Sequence, residues 1–229
     1  MLEPPIGILM LETRFPRMSG DVGNATTWNF PVLYKTVKGA TPDSVVRKAD
    51  RNLLEPFVKG AQELESEGVG AITTSCGFLA LFQQEMAVAV PVFTSSLMQV
   101  PLVSSMLKPS QKVGIITIHS ESLAQEHLAS VGADRVPHIV VGTETEEEFS
   151  RAILGDEAEL DVEKSRQELV KVARILKRDH PEVGAIVLEC TNMPPYAAAI
   201  QEDVELPVFD ITNLVDMVYH AVVRRKFSI

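Results

Sequence analysis

Short apolar runs separated by polar stretches recur along the chain. The runs occupy residues 6–11, 69–73, 90–93, 113–118, 183–188 and 206–209. Continuous apolar runs of this length are typical of strands covered on both faces of a parallel sheet. Between two of them, residues 161–178 place apolar side chains at helical spacing, and strands that alternate with helices indicate right-handed βαβ units. The pattern therefore predicts an α/β fold.

The chain contains an internal repeat. The motif VGAI occurs at residues 69–72 and again at 183–186, and in each case the fourth residue after it is a cysteine. Two further pairs of similar motifs occur in the same order in both halves. IGIL at residues 6–9 corresponds to VGII at 113–116, and PVF at 91–93 corresponds to PVF at 207–209. We therefore predict two similar Rossmann-like halves, residues 1–108 and 109–211, with a C-terminal helix at 212–229 joining the first. Their parallel sheets would be related by a pseudo-twofold axis, with an active site in the cleft between them.

The two cysteines, Cys76 and Cys190, follow equivalent predicted strands. Ligands of open parallel sheets bind beyond the carboxyl ends of the strands, so both thiols are expected at one cleft. A helix N-terminus after each strand would lower the thiol pKa from about 8.5 toward neutrality. The alternative is that both are small buried side chains with no chemical role, as free cysteines usually are.

Two opposed thiols suit the inversion of a stereocentre by proton transfer. One group removes a proton from one face of the carbon, the other delivers a proton to the opposite face, and the roles exchange in the reverse direction. The chain shows no lysine motif for a pyridoxal Schiff base, no dinucleotide fingerprint and no metal-ligand spacing among its histidines. We therefore expect no cofactor and no metal.

The motifs AITTSCGF at residues 71–78 and AIVLECTNMPPY at 185–196 resemble the two cysteine motifs of the aspartate/glutamate racemase superfamily. That superfamily includes cofactor-independent amino-acid racemases, hydantoin and allantoin racemases, maleate isomerase and arylmalonate decarboxylase. The resemblance implies Cys76 and Cys190 as the acid/base pair, two α/β subdomains around the site, and a homo-oligomer.

Residues near the predicted strand ends are candidates for binding a small carboxylate or amide substrate. They are Arg14, Thr74, Ser75, Gly77, Ser120, Thr191 and Asn192. Arg14 could clamp a carboxylate with two hydrogen bonds, although a surface arginine paired with an acid is an equal alternative. Glu189 could raise the pKa of the neighbouring Cys190 by charge repulsion, or could point away from it.

Composition excludes several classes of partner. The 229 residues carry a formal net charge of −10, which disfavours nucleic acid and anionic membranes. No apolar run approaches the roughly 20 residues that span a bilayer, and Glu3 with two prolines stands where a secretory signal would carry basic residues. We expect a cytoplasmic protein, and we interpret residues 18–34 as a long loop that forms a lid or an oligomer contact.

The function expected from these features is a cofactor-independent racemase or epimerase of a small amino acid or related α-carbonyl compound. A first alternative is an enzyme of the maleate isomerase or decarboxylase kind that uses a cysteine as nucleophile. A second alternative is a non-catalytic small-molecule-binding protein whose two lobes close about a hinge.

Overall fold

The computed structural model describes residues 3–227 and contains two four-stranded parallel sheets. The strands are β1 Ile6–Leu11, β2 Val32–Val37, β3 Ala71–Thr74, β4 Val92–Phe93, β5 Lys112–Thr117, β6 His138–Gly142, β7 Val183–Leu188 and β8 Val208–Phe209. Every strand pair is parallel. The prediction of an α/β fold with two similar halves is confirmed.

Helices connect the strands and cover the sheets. The α-helices are α1 Leu54–Ser66, α2 Gln99–Met106, α3 Gln125–Ser130, α4 Glu148–Leu154, α5 Val162–Asp179, α6 Ala197–Val204 and α7 Ile211–Val222. Short 3-10 helices lie at Ala25–Thr27, Arg51–Leu53, Gly77–Phe82, Ser96–Met98, Ser120–Ser122, Ala133–Arg135 and Pro194–Tyr196, and a π turn lies at Asp43–Arg47. No helix within residues 3–227 is long and apolar enough to cross a membrane.

Both sheets have the same strand order, β2-β1-β3-β4 in the first and β6-β5-β7-β8 in the second. The direction of winding reverses between β1 and β3, and likewise between β5 and β7. In doubly wound sheets the crevice at such a reversal, beyond the carboxyl ends of the strands, is the usual place for a ligand. Cys76 lies just past β3 and Cys190 just past β7, so both thiols lie at a reversal.

Each half has one strand more than the hydrophobic pattern predicts. The additional strands, β2 and β6, lie at the edges of their sheets, and most of their residues are only half-buried. Both strands mix polar with apolar side chains, and neither forms an apolar run across its whole length. Residues 18–34, predicted as one long loop, therefore end inside β2 at Tyr34.

The helix α7 packs on the first sheet although it comes last in the chain. Leu214, Val215 and Tyr219 join a buried cluster with Ile8 of β1 and Trp28. The helix ends at Val222, earlier than predicted, and residues 228–229 of the predicted segment lie outside the described residues. The last helix thus covers the face of β1 and β3 that carries Ile8 and Ala71.

Hydrogen bonds between buried groups join the two halves close to the cysteines. The Ser96 hydroxyl donates to the backbone oxygen of Leu188 at 2.6 Å. Gln99 donates to the backbone oxygen of Asp210 at 2.7 Å. One continuous apolar cluster includes Ile72 of the first sheet and Leu188 of the second. The halves therefore meet through a packed interface that holds the two strand ends in fixed positions.

Candidate active site

The two cysteines follow equivalent strands, but the segments that come after them differ. Cys76 has extended backbone and directly precedes the 3-10 helix Gly77–Phe82. After Cys190 the chain makes a turn before Pro194–Tyr196 leads into α6. The helix N-terminus expected immediately after each cysteine is therefore that of a short 3-10 helix at Cys76, and at Cys190 it begins several residues later.

Both cysteines line one narrow cavity between the halves. Its walls are formed by Leu11, Phe15, Pro42, Val46, Ser75, Cys76, Gly77, Phe78, Ile118, Ile153, Leu154, Glu189, Cys190, Thr191 and Asn192. The cavity measures about 20 Å³, which is enough for about one water molecule. A substrate larger than a water molecule must therefore displace part of the wall when it enters.

Four of the predicted binding residues, Ser75, Gly77, Thr191 and Asn192, lie in this wall. Two of them also join the halves, because the Thr191 hydroxyl donates to the backbone oxygen of Ser75 at 2.7 Å. The Ser75 hydroxyl accepts a 2.8 Å hydrogen bond from the backbone N–H of Leu11. Both hydroxyls therefore hold the strand ends in register, and their role toward a substrate stays a prediction.

The other three predicted residues lie outside the cavity wall. The Thr74 hydroxyl is buried and donates to the backbone oxygen of Thr94 at 2.7 Å. Ser120 donates to the carboxylate of Glu144 at the surface. The Arg14 side chain is 72% exposed and pairs with Asp156 at 3.2 Å. The structure therefore brings none of these three side chains to the thiols.

Burial, rather than a helix dipole, controls the ionisation of the thiols. Burial and the negative charge of Glu189 raise the pKa of Cys76 to about 12, although the backbone N–H groups of Phe78 and Leu79 act in the opposite direction. Burial and the charge of Glu189 also raise the pKa of Cys190 well above the ordinary thiol value. The expected shift toward neutrality is therefore wrong, because desolvation of the thiolate outweighs the nearby N–H donors.

Glu189 points into the site and is completely buried. Its Oε2 accepts a 2.7 Å hydrogen bond from the Thr117 hydroxyl, whereas its buried Oε1 has no hydrogen-bond partner. Burial raises the pKa of this carboxyl to about 7. A Cβ at position 77 would overlap both Oε1 and the backbone oxygen of Glu189, so only glycine leaves room for this carboxylate. Of the two sequence interpretations of Glu189, the structure favours the one in which its charge acts on Cys190.

A buried ion pair behind the cysteines was not predicted from the sequence. Arg17 donates to Asp21 Oδ1 at 2.8 Å, and Asn192 donates to Asp21 Oδ2 at 2.6 Å. Asn192 Oδ1 in turn lies 3.5 Å from the Cys190 sulfur and accepts its hydrogen. The positive charge of Arg17 also lowers the pKa of Cys76, although burial and Glu189 outweigh it. Arg17, three positions after Arg14, is thus the arginine whose charge reaches a thiol.

Apolar side chains form most of the remaining wall. Leu11 is the last residue of β1, and Ile118 directly follows β5. Their location at strand ends is a signal that sequence analysis could have used. Phe15 and Phe78 add aromatic surface. Ile153 and Leu154 come from α4, and no sequence feature connects them with the cysteines. The chemistry available to the site therefore consists of two thiols and one carboxylate among mostly apolar, partly aromatic side chains.

A family model for the Asp/Glu/Hydantoin racemases matches residues 96–215 of this chain. A dimethylsulfoniopropionate lyase of Durusdinium sp. clade D is 30% identical over 214 residues, which cover 90% of this chain and 70% of that protein. Dimethylsulfoniopropionate lyase 3 of Emiliania huxleyi is also 30% identical, over 90% of this chain, but the chain spans only 57% of that relative's length.

Two solved structures share the fold across nearly the whole chain. A Gly74Cys mutant of arylmalonate decarboxylase gives a TM-score of 0.63 at 15% identity and covers 97% of this chain and 95% of that one. Picrophilus torridus aspartate racemase gives 0.61 at 10% identity and covers 98% and 96%. At these identities the likeness concerns the fold alone. With the family match and the lyase relatives, it shows that this chain belongs to the Asp/Glu/hydantoin racemase family.

Proposed function

We propose that this protein is a cofactor-independent lyase that eliminates a dialkyl sulfide from a small β-sulfonio carboxylate, with a cysteine thiolate as the base. The observation that carries the proposal is that two thiols from equivalent strands line one narrow, mostly apolar cavity. The substrate class is supported by the relatives named dimethylsulfoniopropionate lyases, which are 30% identical over 90% of this chain.

A thiolate in this cavity is a stronger base than a thiolate in water. Because burial raises the pKa of Cys76 to about 12, its thiolate binds a proton more tightly than an exposed cysteine does. The hydrogen on a carbon next to a carboxylate is only weakly acidic, so its removal needs such a base. At neutral pH, however, only a small fraction of the protein molecules carries a thiolate, until a group in the enzyme–substrate complex stabilises it.

The elimination needs no reactant besides the substrate and the thiolate. The thiolate takes a proton from the carbon next to the carboxylate, and the electrons of that C–H bond form the new carbon–carbon double bond. The bond from the β carbon to sulfur breaks, and its electron pair leaves on the neutral sulfide. The products are acrylate, dimethyl sulfide and a protonated thiol, which releases its proton to restore the base.

Backbone donors at the strand ends suit the negative charge of this substrate. The backbone N–H groups of Phe78 and Leu79 lower the pKa of Cys76, and the N–H of Asn192 lowers that of Cys190, although burial outweighs them. Donors fixed in a dry site stabilise charge that grows on the carboxylate as the proton leaves. In this proposal the 3-10 helix after Cys76 holds the carboxylate end of the substrate.

Product analysis with dimethylsulfoniopropionate tests the proposal. Headspace gas chromatography and acrylate quantification are expected to show equimolar release, and the C76S/C190S double variant is expected to lose at least about 100-fold of the rate. The single variants C76S and C190S then assign the base, which is the thiol whose loss abolishes elimination. The absence of any sulfide release from the wild-type protein would overturn the proposal.

A second candidate is the racemase that the sequence predicts. The presence of two thiols on one cavity favours it, since elimination needs one base whereas inversion needs a base and an acid on opposite faces. Incubation of single enantiomers of amino acids or hydantoins in D₂O distinguishes the two. Loss of optical rotation with uptake of one deuterium at the α carbon, and no sulfide release from dimethylsulfoniopropionate, would favour the racemase.

A further inference from the structure

We infer that Glu189 is the binding site for a small onium cation, a methylated sulfonium or ammonium group carried by the substrate. This inference rests on the proposed function, and it names the residue that would recognise the positive end of the substrate. The feature behind it is a buried carboxylate oxygen on the cavity wall that the protein itself leaves without a partner.

Neighbouring groups fix the position of the Glu189 carboxylate. Thr117 fixes one oxygen at 2.7 Å, and the other oxygen packs against Gly77, where only the absence of a side chain leaves room for it. The backbone of Glu189 is also restrained, because the Ser96 hydroxyl lies 3.3 Å from its carbonyl oxygen. A buried carboxylate that lacks a partner destabilises the folded state, so its retention on a cavity wall is explained most simply by a cation that binds there.

No cationic side chain of residues 3–227 lines this cavity. Arg17, whose charge reaches Cys76, is already paired with Asp21 at 2.8 Å. The groups whose charges act on the site are therefore Glu189, the two thiols and the Arg17–Asp21 pair. Unless a thiol is ionised, the negative charge of Glu189 stands alone in the cavity.

The remaining wall suits methyl groups rather than a hydrated ammonium. Phe15 and Phe78 contribute aromatic rings, and Leu11 and Ile118 contribute aliphatic surface. Aromatic faces attract methylated onium groups, and the attraction strengthens where water is excluded. Because a methylated onium donates no hydrogen bond to Oε1, the site pairs charge with charge and methyl groups with apolar walls.

A bound onium would also activate the base. The negative charge of Glu189 contributes to the raised pKa of both thiols. A cation beside Glu189 offsets that charge, so the pKa of both thiols falls when the substrate binds. The thiolate then forms in the complex rather than in the empty enzyme.

A pair of ligands that differ only in charge tests the inference. The probes are 3-(trimethylammonio)propanoate, in which the cationic group accompanies the carboxylate, and 4,4-dimethylpentanoate, in which a neutral tert-butyl group replaces the cationic one. Both are titrated by calorimetry at a pH where Glu189 is ionised. The wild-type protein is expected to bind the cationic probe at least about tenfold more tightly, and E189Q is expected to lose that preference. The control variant E121Q, at an exposed glutamate, should keep it.

This binding test does not depend on turnover. If E189Q fails to fold, the affinities of the wild-type protein for the two probes decide the test. Equal affinity of the wild type for the two probes, binding of neither, or a preference that survives in folded E189Q would each overturn the inference. A cation preference in a protein that releases no sulfide would instead overturn the lyase proposal and leave the onium site standing.

Discussion

Asn192 and Asp21 are 171 positions apart in the chain, yet the Asn192 amide donates a 2.6 Å hydrogen bond to the Asp21 carboxylate. Both side chains are buried. The bond joins the loop that follows β1 to the turn that follows Cys190. It therefore ties the first half of the molecule to the second directly beside a thiol.

Replacing Asn192 with alanine is expected to lower the free energy of unfolding by about 2 kcal/mol, because a buried carboxylate oxygen loses its partner. Urea denaturation measures the change. The control is N52A, since Asn52 makes a comparable 2.8 Å bond to Asp50 at the surface. Its expected cost is within about 0.5 kcal/mol. Equal losses in the two variants would contradict the assignment of the Asn192 bond as a tie between the halves.

Glu189 gives the stability of the protein a defined pH dependence. Burial raises the pKa of this carboxyl from 4.5 to about 7, so the folded state binds the proton more tightly than the unfolded chain does. The resulting stabilisation is complete below pH 4.5 and is lost as the pH rises through about 7.

Relative to E189Q, which has no titrating group there, the wild type is expected to lose about 3 kcal/mol of stability across that interval. Urea midpoints of both proteins, measured over a series of pH values, give the difference directly and cancel the other titrating groups. A difference that stays constant with pH would show that Glu189 does not titrate as a buried group.

The substitution Gly77→Ala is expected to destabilise the fold by about 1–3 kcal/mol and to displace Glu189. The new Cβ would overlap the backbone oxygen of Glu189, which cannot move without the strand end. Thermal unfolding measures the loss. In the control variant, Gly184→Ala, the three atoms nearest to the new Cβ all belong to the side chain of Gln111, which can turn away. If G77A is as stable as G184A, the close approach of Glu189 to residue 77 is not a constraint.

The raised pKa of both thiols predicts slow alkylation. At mildly alkaline pH, native Cys76 and Cys190 are expected to react with iodoacetamide far more slowly than the same residues in urea. Burial is the larger cause of both raised pKa values, and E189Q removes the second cause, the negative charge, so its alkylation is expected to be faster at the same pH. Mass spectrometry resolves the two sites, and E121Q serves as the control at an exposed position. Equal alkylation rates in E189Q and the wild type would contradict an electrostatic role for Glu189 at the thiols.

The central strands could be predicted because the apolar runs that form them are local features of the sequence. Strands β1 and β7 are continuous apolar runs, and the structure has them with the predicted bounds, Ile6–Leu11 and Val183–Leu188. The edge strands β2 and β6 could not be found in this way, because their residues are half-buried and mix polar with apolar side chains.

The sequence by itself determined that two repeated halves place Cys76 and Cys190 at equivalent strand ends, because a repeat in the chain folds into a repeat in space. The tertiary structure alone decided the electrostatics of those thiols. Desolvation depends on every atom packed around a group, and the atoms that enclose this cavity come from distant segments, from Phe15 to Leu154. For the same reason, only the folded chain reveals that Glu189 points inward and that Arg17, rather than Arg14, lies behind the site.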